Sequence, residues 1–247
     1  MIEHQIDIQT ADGVMPTFVC HPERDAPYPA VLLLMDAPGI REELRDMARR
    51  LATAGYCVLL PNLYYRAGGD PMFNSQVLVD GSDEHKRMRA IRTGMTIPPV
   101  MRDVATLIDF IDSFDGATTR APVGCHGYCM SGPYALAAAA QFPDRIAGAA
   151  SLYGTWLVSD AEQSPHHHLG DIRGEAYIGC AEHDSLAPMD MVAELKTLFD
   201  ASGCNGELEI HPGVHHGFAF PQRSIYNKDA AERHWERLHA LYRRTLG

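Results

Sequence analysis

A thiol, a carboxylate and an imidazole occur in this chain in an order that suits acyl transfer. Cys129 stands inside Gly127-Tyr128-Cys129-Met130-Ser131-Gly132, between an apolar run at 121–125 and an alanine-rich stretch at 134–141. Strand, sharp turn and helix with a nucleophile at the apex make a nucleophile elbow, a turn that admits only small residues two before and two or three after the nucleophile. Gly127, Ser131 and Gly132 satisfy that demand. A cysteine among apolar neighbours is otherwise an ordinary small core residue, so its partners decide its meaning. Asp184 follows an expected strand at 175–180, and His216 follows another at 207–211. Nucleophile, acid, histidine is the chain order of the α/β-hydrolases. Glu182 competes with Asp184, and His215 competes with His216. Ser131 is a rival nucleophile, but Pro133 is a poor occupant of the small-residue position two beyond it. The chemistry implied is attack by a thiolate on an ester or lactone carbonyl, with a covalent acyl-enzyme. The acid orients the imidazole and stabilises its charged form.

These residues need elements to hold them. Weak alternation at 2–8 and 14–20 around Asp12-Gly13 predicts an antiparallel entry hairpin. Apolar runs at 30–35, 56–60, 121–125, 146–152 and 175–180 suit strands buried on both faces. Helical patterns occupy 42–54, 83–93, 98–111, 134–141, 188–200 and 229–246. Gly55 caps the first, and Pro98-Pro99 opens the third. Residues 61–82 and 155–172 read as loops. After the hairpin, strands and helices alternate to the end, which implies a mostly parallel sheet with helices on both faces and a single α/β-hydrolase domain over 1–247.

Composition narrows the setting. The chain has 247 residues, 46% of them hydrophobic, which suffices for a large core. Its net charge is −11 and no basic stripe interrupts it, so neither nucleic acid nor an anionic membrane surface is an expected partner. No signal-peptide pattern opens the sequence and no apolar run spans a bilayer. The six cysteines show no metal-ligand spacing, and several lie within apolar runs, which fits free thiols in a reducing, cytoplasmic setting. No cofactor and no metal is expected. The tract His166-His167-His168 reads as a solvated loop, since three adjacent histidines cannot all face one ion and no Cys or carboxylate stands at ligand spacing.

The chain resembles the dienelactone hydrolase family of carboxymethylenebutenolidase-like α/β-hydrolases. The match runs through Met35-Asp36-Ala37-Pro38-Gly39, the segment 52–64, the elbow at 127–132, Tyr153-Gly154, the pattern Gly179, Glu182, Asp184, Pro188, and Gly213 with His216-Gly217-Phe218. The elbow with its thiol is the specific part. The resemblance implies a triad of Cys129, Asp184 and His216, and a small ester or lactone as substrate. It places an acidic residue in contact with the resting cysteine at Asp36, and a tyrosine beside the nucleophile at Tyr153. The oxyanion hole falls to the backbone N–H groups of Met130 and Ala37. The family holds a substrate carboxylate with arginines, one of which matches Arg87 or Arg89. Another belongs four residues after the histidine, where this chain has Phe220, a departure that points to a less anionic or larger substrate. Monomer and homodimer are both compatible with the sequence.

Two other readings share these residues. One is a promiscuous esterase or thioesterase on the same triad. The other is a non-catalytic redox sensor pairing Cys125 with Cys129, whose spacing is not the Cys-x-x-Cys of disulfide oxidoreductases. Cys125 in a strand and Cys129 on the turn are poorly placed for a disulfide.

Overall fold

Continuous apolar runs become buried strands here, and amphipathic runs become the helices between them. The computed structural model describes residues 1–68 and 73–247, so part of the loop expected at 61–82 lies outside the described residues. The chain forms two compact units, Met1–Arg120 and Ala121–Gly247.

In the first unit the entry hairpin is present as β1 (Ile2–Thr10) and β2 (Gly13–His21), paired antiparallel from Ile2↔His21 to Thr10↔Gly13. Gly13, with φ 137°, supplies a backbone conformation that an L side chain rarely adopts. β3 (Ala30–Leu34) and β4 (Cys57–Pro61) are entirely buried and pair in parallel, with β2 antiparallel on the other side of β4. The order is β1-β2-β4-β3. Pro61 closes β4 as its last residue rather than stopping it one earlier. α1 (Glu42–Thr53) buries Leu44, Met47, Ala48 and Leu51, and ends before Gly55 at φ 99°. α2 (Asp83–Thr93) is capped by the Ser82 hydroxyl, which accepts the His85 N–H. α3 (Ile97–Ser113) carries Pro in its first turn and buries Val104, Leu107 and Ile111. Two short 3₁₀ turns, Tyr65–Ala67 and Ser75–Leu78, lie in the region expected to be loop.

In the second unit β5 (Val123–Tyr128), β6 (Ile146–Leu152), β7 (Glu175–His183) and β8 (Asn205–His215) run parallel in that order. α4 (Gly132–Gln141), α5 (Met189–Ser202) and α6 (Lys228–Thr245) connect and close them. Three strands are longer than their apolar runs. β5 starts at Val123 but continues through His126 and Tyr128, both buried. β7 continues through Glu182 and His183. β8 spans Asn205–His215 although Asn205, Glu207 and His215 are polar and exposed and Gly206, Pro212 and Gly213 break its apolar pattern. β8 ends the order, and Pro212 inside it is tolerated there because an edge strand has unpaired donor positions. The tract His166-His167-His168 belongs to a 3₁₀ run, Pro165–Asp171, anchored by buried Pro165 and Leu169.

Candidate active site

The elbow is built by exclusion of side chains. A Cβ on Gly127 would lie 2.1 Å from the carbonyl oxygen of Ser131, and one on Gly132 would lie 2.5 Å from Cα of Gly154. Only glycine lets β5 turn back on itself this tightly. Cys129 takes φ 55°, the left-handed region, at the first position of a 3₁₀ turn (Cys129–Ser131) that runs straight into α4. Such strain at a non-glycine residue recurs where the surroundings hold a functional group in one direction. The thiol is nearly buried at 7% exposure and stands at the positive end of α4. The carbonyl of Cys129 accepts the N–H of Thr155, which ties the loop after β6 to the elbow.

Asp184 follows β7 directly, and its side chain is fully buried. One carboxylate oxygen accepts the N–H groups of Leu186 (2.8 Å) and Ala187 (3.2 Å), and the other meets Nδ1 of His216 at 2.6 Å. With its carboxylate held on both sides, Asp184 fixes the imidazole so that Nε2 is the free nitrogen. His216 is 16% exposed, and its Nε2 is buried with no hydrogen-bond partner of full geometry. Burial opposes a charge on this ring. Attraction to Cys129 first, then the Asp184 hydrogen bond, the contact with Cys129 and attraction to Asp184 outweigh burial and raise His216 to about 10. Tyr153, with φ 37° after β6, sets its ring edge-on to His216 at 5.2 Å and closes the other side of the imidazole.

The rivals are occupied elsewhere. Glu182 accepts the backbone N–H of Gly213 at 2.6 Å and is half exposed. His215 is exposed and lies 5.3 Å from the His183 ring. Ser131 is buried inside the turn. Cys125 is fully buried, and burial pushes its thiol up to about 12, so it stays protonated. Phe220, at the position where the family resemblance would place an arginine, is a core aromatic buried against Tyr128 at 5.3 Å. A cation missed by the sequence reading lies close by. Arg223 stacks over Phe220 at 5.2 Å, and a Cβ on Gly217, next to His216, would meet its guanidinium at 2.6 Å. Its position in a loop of no regular pattern gave no signal.

Asp36, Ala37 and Arg87 belong to the first unit. Asp36 is fully buried and takes a bidentate ion pair from Arg41, at 2.5 and 3.2 Å. Arg41 also reaches Glu43 and the Gly39 carbonyl. The carbonyl of Ala37 accepts the Tyr64 hydroxyl at 2.8 Å. The turn at 36–39 is therefore clamped from both flanks. Arg87 lies on α2, exposed, beside Glu84 and over the Phe73 ring at 5.0 Å. Among the described residues, no group of three or more His, Cys, Asp or Glu is placed to hold a metal ion, and no helix is long and apolar enough to cross a membrane.

Residues 15–246 match the dienelactone hydrolase family. The chain belongs to that family. A Methylorubrum extorquens protein provisionally named carboxymethylenebutenolidase is 27% identical over 248 residues, covering 98% of this chain and 81% of its own length. Among solved structures, a provisionally named dienelactone hydrolase from Klebsiella pneumoniae superposes with TM-score 0.85 at 22% identity, covering 98% of each chain. A metagenomic dienelactone hydrolase-like promiscuous phosphotriesterase superposes with TM-score 0.77 at 18% identity, covering 100% of this chain and 99% of its own. The fold is the α/β-hydrolase fold, mostly parallel with an antiparallel N-terminal hairpin. As a member of the dienelactone hydrolase family, the protein is a hydrolase of the ester and lactone type that acts on a small molecule.

Proposed function

We propose that this family member hydrolyses its ester or lactone through a Cys129–His216–Asp184 triad and a thioacyl-enzyme. One observation carries the reading. An imidazole held by a buried carboxylate at 2.6 Å is electrostatically coupled to a thiol on a strained elbow, and it is raised to about 10. In that state His216 is an imidazolium at neutral pH, and the reacting form of Cys129 is its thiolate. The thiolate attacks the carbonyl carbon, and the backbone N–H of Met130 stabilises the oxyanion. The C–O bond to the alcohol breaks, and His216 gives its proton to the leaving oxygen. Neutral His216 then takes a proton from water, which attacks the thioester. The carboxylic acid leaves, and the thiolate and imidazolium are restored. Asp184 stays ionised throughout and stabilises the imidazolium, as in the serine triads.

The test is hydrolysis of a panel of lactones, aryl esters and thioesters by the wild type and by Cys129→Ala and Cys129→Ser. Turnover of at least one ester that vanishes in Cys129→Ala supports the triad, as does a trapped acyl adduct on Cys129 by mass spectrometry. Undiminished turnover in Cys129→Ala overturns it.

A further inference from the structure

Trp156 combines exposure with a strained backbone. It is 49% exposed, while Thr155 before it and Leu157 after it are fully buried. Its φ is 53°, the left-handed region, which a bulky aromatic residue rarely takes. A large apolar side chain directed outward on strained backbone carries two costs at one residue, and strain of this kind clusters at ligand clamps and active sites. The neighbouring contacts fix where that residue stands. The N–H of Thr155 bonds the carbonyl of Cys129 at 3.2 Å, and three residues before Trp156 is Tyr153, whose ring faces His216. Trp156 is thus one residue from a direct backbone tie to the nucleophile. Beside Asp184, Leu186 and Met189 also expose large apolar side chains, at 42% and 39%. Leu186 is rigidly placed, because its own N–H is held by Asp184.

We infer that Trp156 is a specificity-determining residue that packs against the acyl arm of the substrate, and that the preferred substrates are esters or lactones with an extended apolar acyl group. This rests on the triad reading above. The acyl group is the part of the ester that becomes covalently tethered to Cys129, and Trp156 follows directly on the residue whose N–H bonds the Cys129 carbonyl. An indole face supplies a large apolar contact area at low entropic cost.

Two measurements test it. In p-nitrophenyl esters, Trp156→Ala lowers the ratio of kcat/KM for hexanoate to that for acetate by about tenfold or more, while Trp156→Phe keeps most of the ratio. An equal loss on both esters, or none on either, overturns the assignment. The second readout needs no turnover. The chain has two tryptophans, and Trp235 is buried. In Cys129→Ala, phenyl hexanoate shifts the emission to shorter wavelength and phenyl acetate does so far less, and the hexanoate shift is lost in Cys129→Ala/Trp156→Phe. An emission spectrum indifferent to phenyl hexanoate overturns the proposal. Wild-type protein that hydrolyses neither ester, yet shows the emission shift, refutes the triad reading and leaves the apolar subsite standing.

Discussion

Gly127→Ala adds a single methyl group at the tightest point of the elbow. The added Cβ would stand 2.1 Å from Ser131 O, 2.5 Å from Ser131 C and 2.9 Å from Ser131 Cβ. Two of these three atoms are backbone, so no side-chain rotation relieves the contact. The 3₁₀ turn Cys129–Ser131 has to move, and α4 begins at the next residue. Overpacking a tight interior costs about 1–3 kcal/mol, occasionally more. Backbone that cannot yield puts this case at the upper end, about 3 kcal/mol. For a domain of this size that lowers Tm by roughly 6–12 °C. Activity falls further than stability, because displacing the nucleophile by about 1 Å costs on the order of a hundredfold in rate. Gly94→Ala is the control. There the new Cβ meets only Ile91 O, at an ordinary 3.6 Å, and the expected change is within about 0.5 kcal/mol. Thermal unfolding and ester turnover are measured on both variants at a temperature where both are folded. Gly127→Ala with unchanged Tm and full kcat would refute the account of the elbow.

Other perturbations follow from the same contacts. Asp184→Asn keeps the shape but removes the charge that stabilises imidazolium, so kcat on a responsive ester drops by on the order of 10⁴; a loss under tenfold in steady-state kinetics argues against the assigned role. Cys129→Ala removes the leading influence that raises His216, so its imidazole, followed by NMR, titrates well below about 10. In the wild type that raised value means protonated His216 stabilises the fold fully below its ordinary 6.5, and the contribution is lost as pH rises through about 10. The stability difference between wild type and Cys129→Ala should therefore narrow across that window, and a pH-independent difference contradicts the coupling. Arg41→Met removes the bidentate partner of buried Asp36 and the ion pair to Glu43. Breaking a buried pair costs about 3–5 kcal/mol, read as a fall in Tm of roughly 10 °C; an unchanged Tm shows the clamp at 36–39 to be dispensable.

The elements legible in the sequence were those whose burial leaves a periodic or continuous apolar trace. β3, β4 and β6 are buried nearly throughout and matched their apolar runs closely. β8 extends beyond 207–211 at both ends because exposed Asn205 and Gly206 before it and exposed Pro212 and Gly213 after it leave no such trace. β7 was cut short for the same reason at Glu182 and His183. The elbow was legible because its glycines are demanded by contact with backbone, and that demand is local in sequence. The resemblance to the family added the roles expected of Asp36, Ala37 and Tyr153, which no spacing revealed. What no local pattern carries is the partner of a side chain. Arg41 reaching back to Asp36, Arg223 lying against Gly217 and the outward strain at Trp156 all depend on the path of a turn.

Register explains why Asp184 and His216 meet while their neighbours do not. β7 and β8 run parallel, and after an irregularity between Ala181 and His183 the pairing resumes at His183↔His215. The next residue in each strand's path is Asp184 in one and His216 in the other, so the two leave the paired strands at the same level. Alternation then sorts the two histidines, while the two acids, two residues apart, are sorted by the end of β7, which Asp184 lies beyond. Asp184 turns inward and is fully buried, while Glu182 is half exposed and spends its carboxylate on Gly213. A slip of one residue in this pairing would exchange the faces, bringing His215 level with Asp184 and sending His216 outward. The two adjacent histidines are therefore not interchangeable, and the quantity that separates them is the strand register rather than any property of the residues themselves.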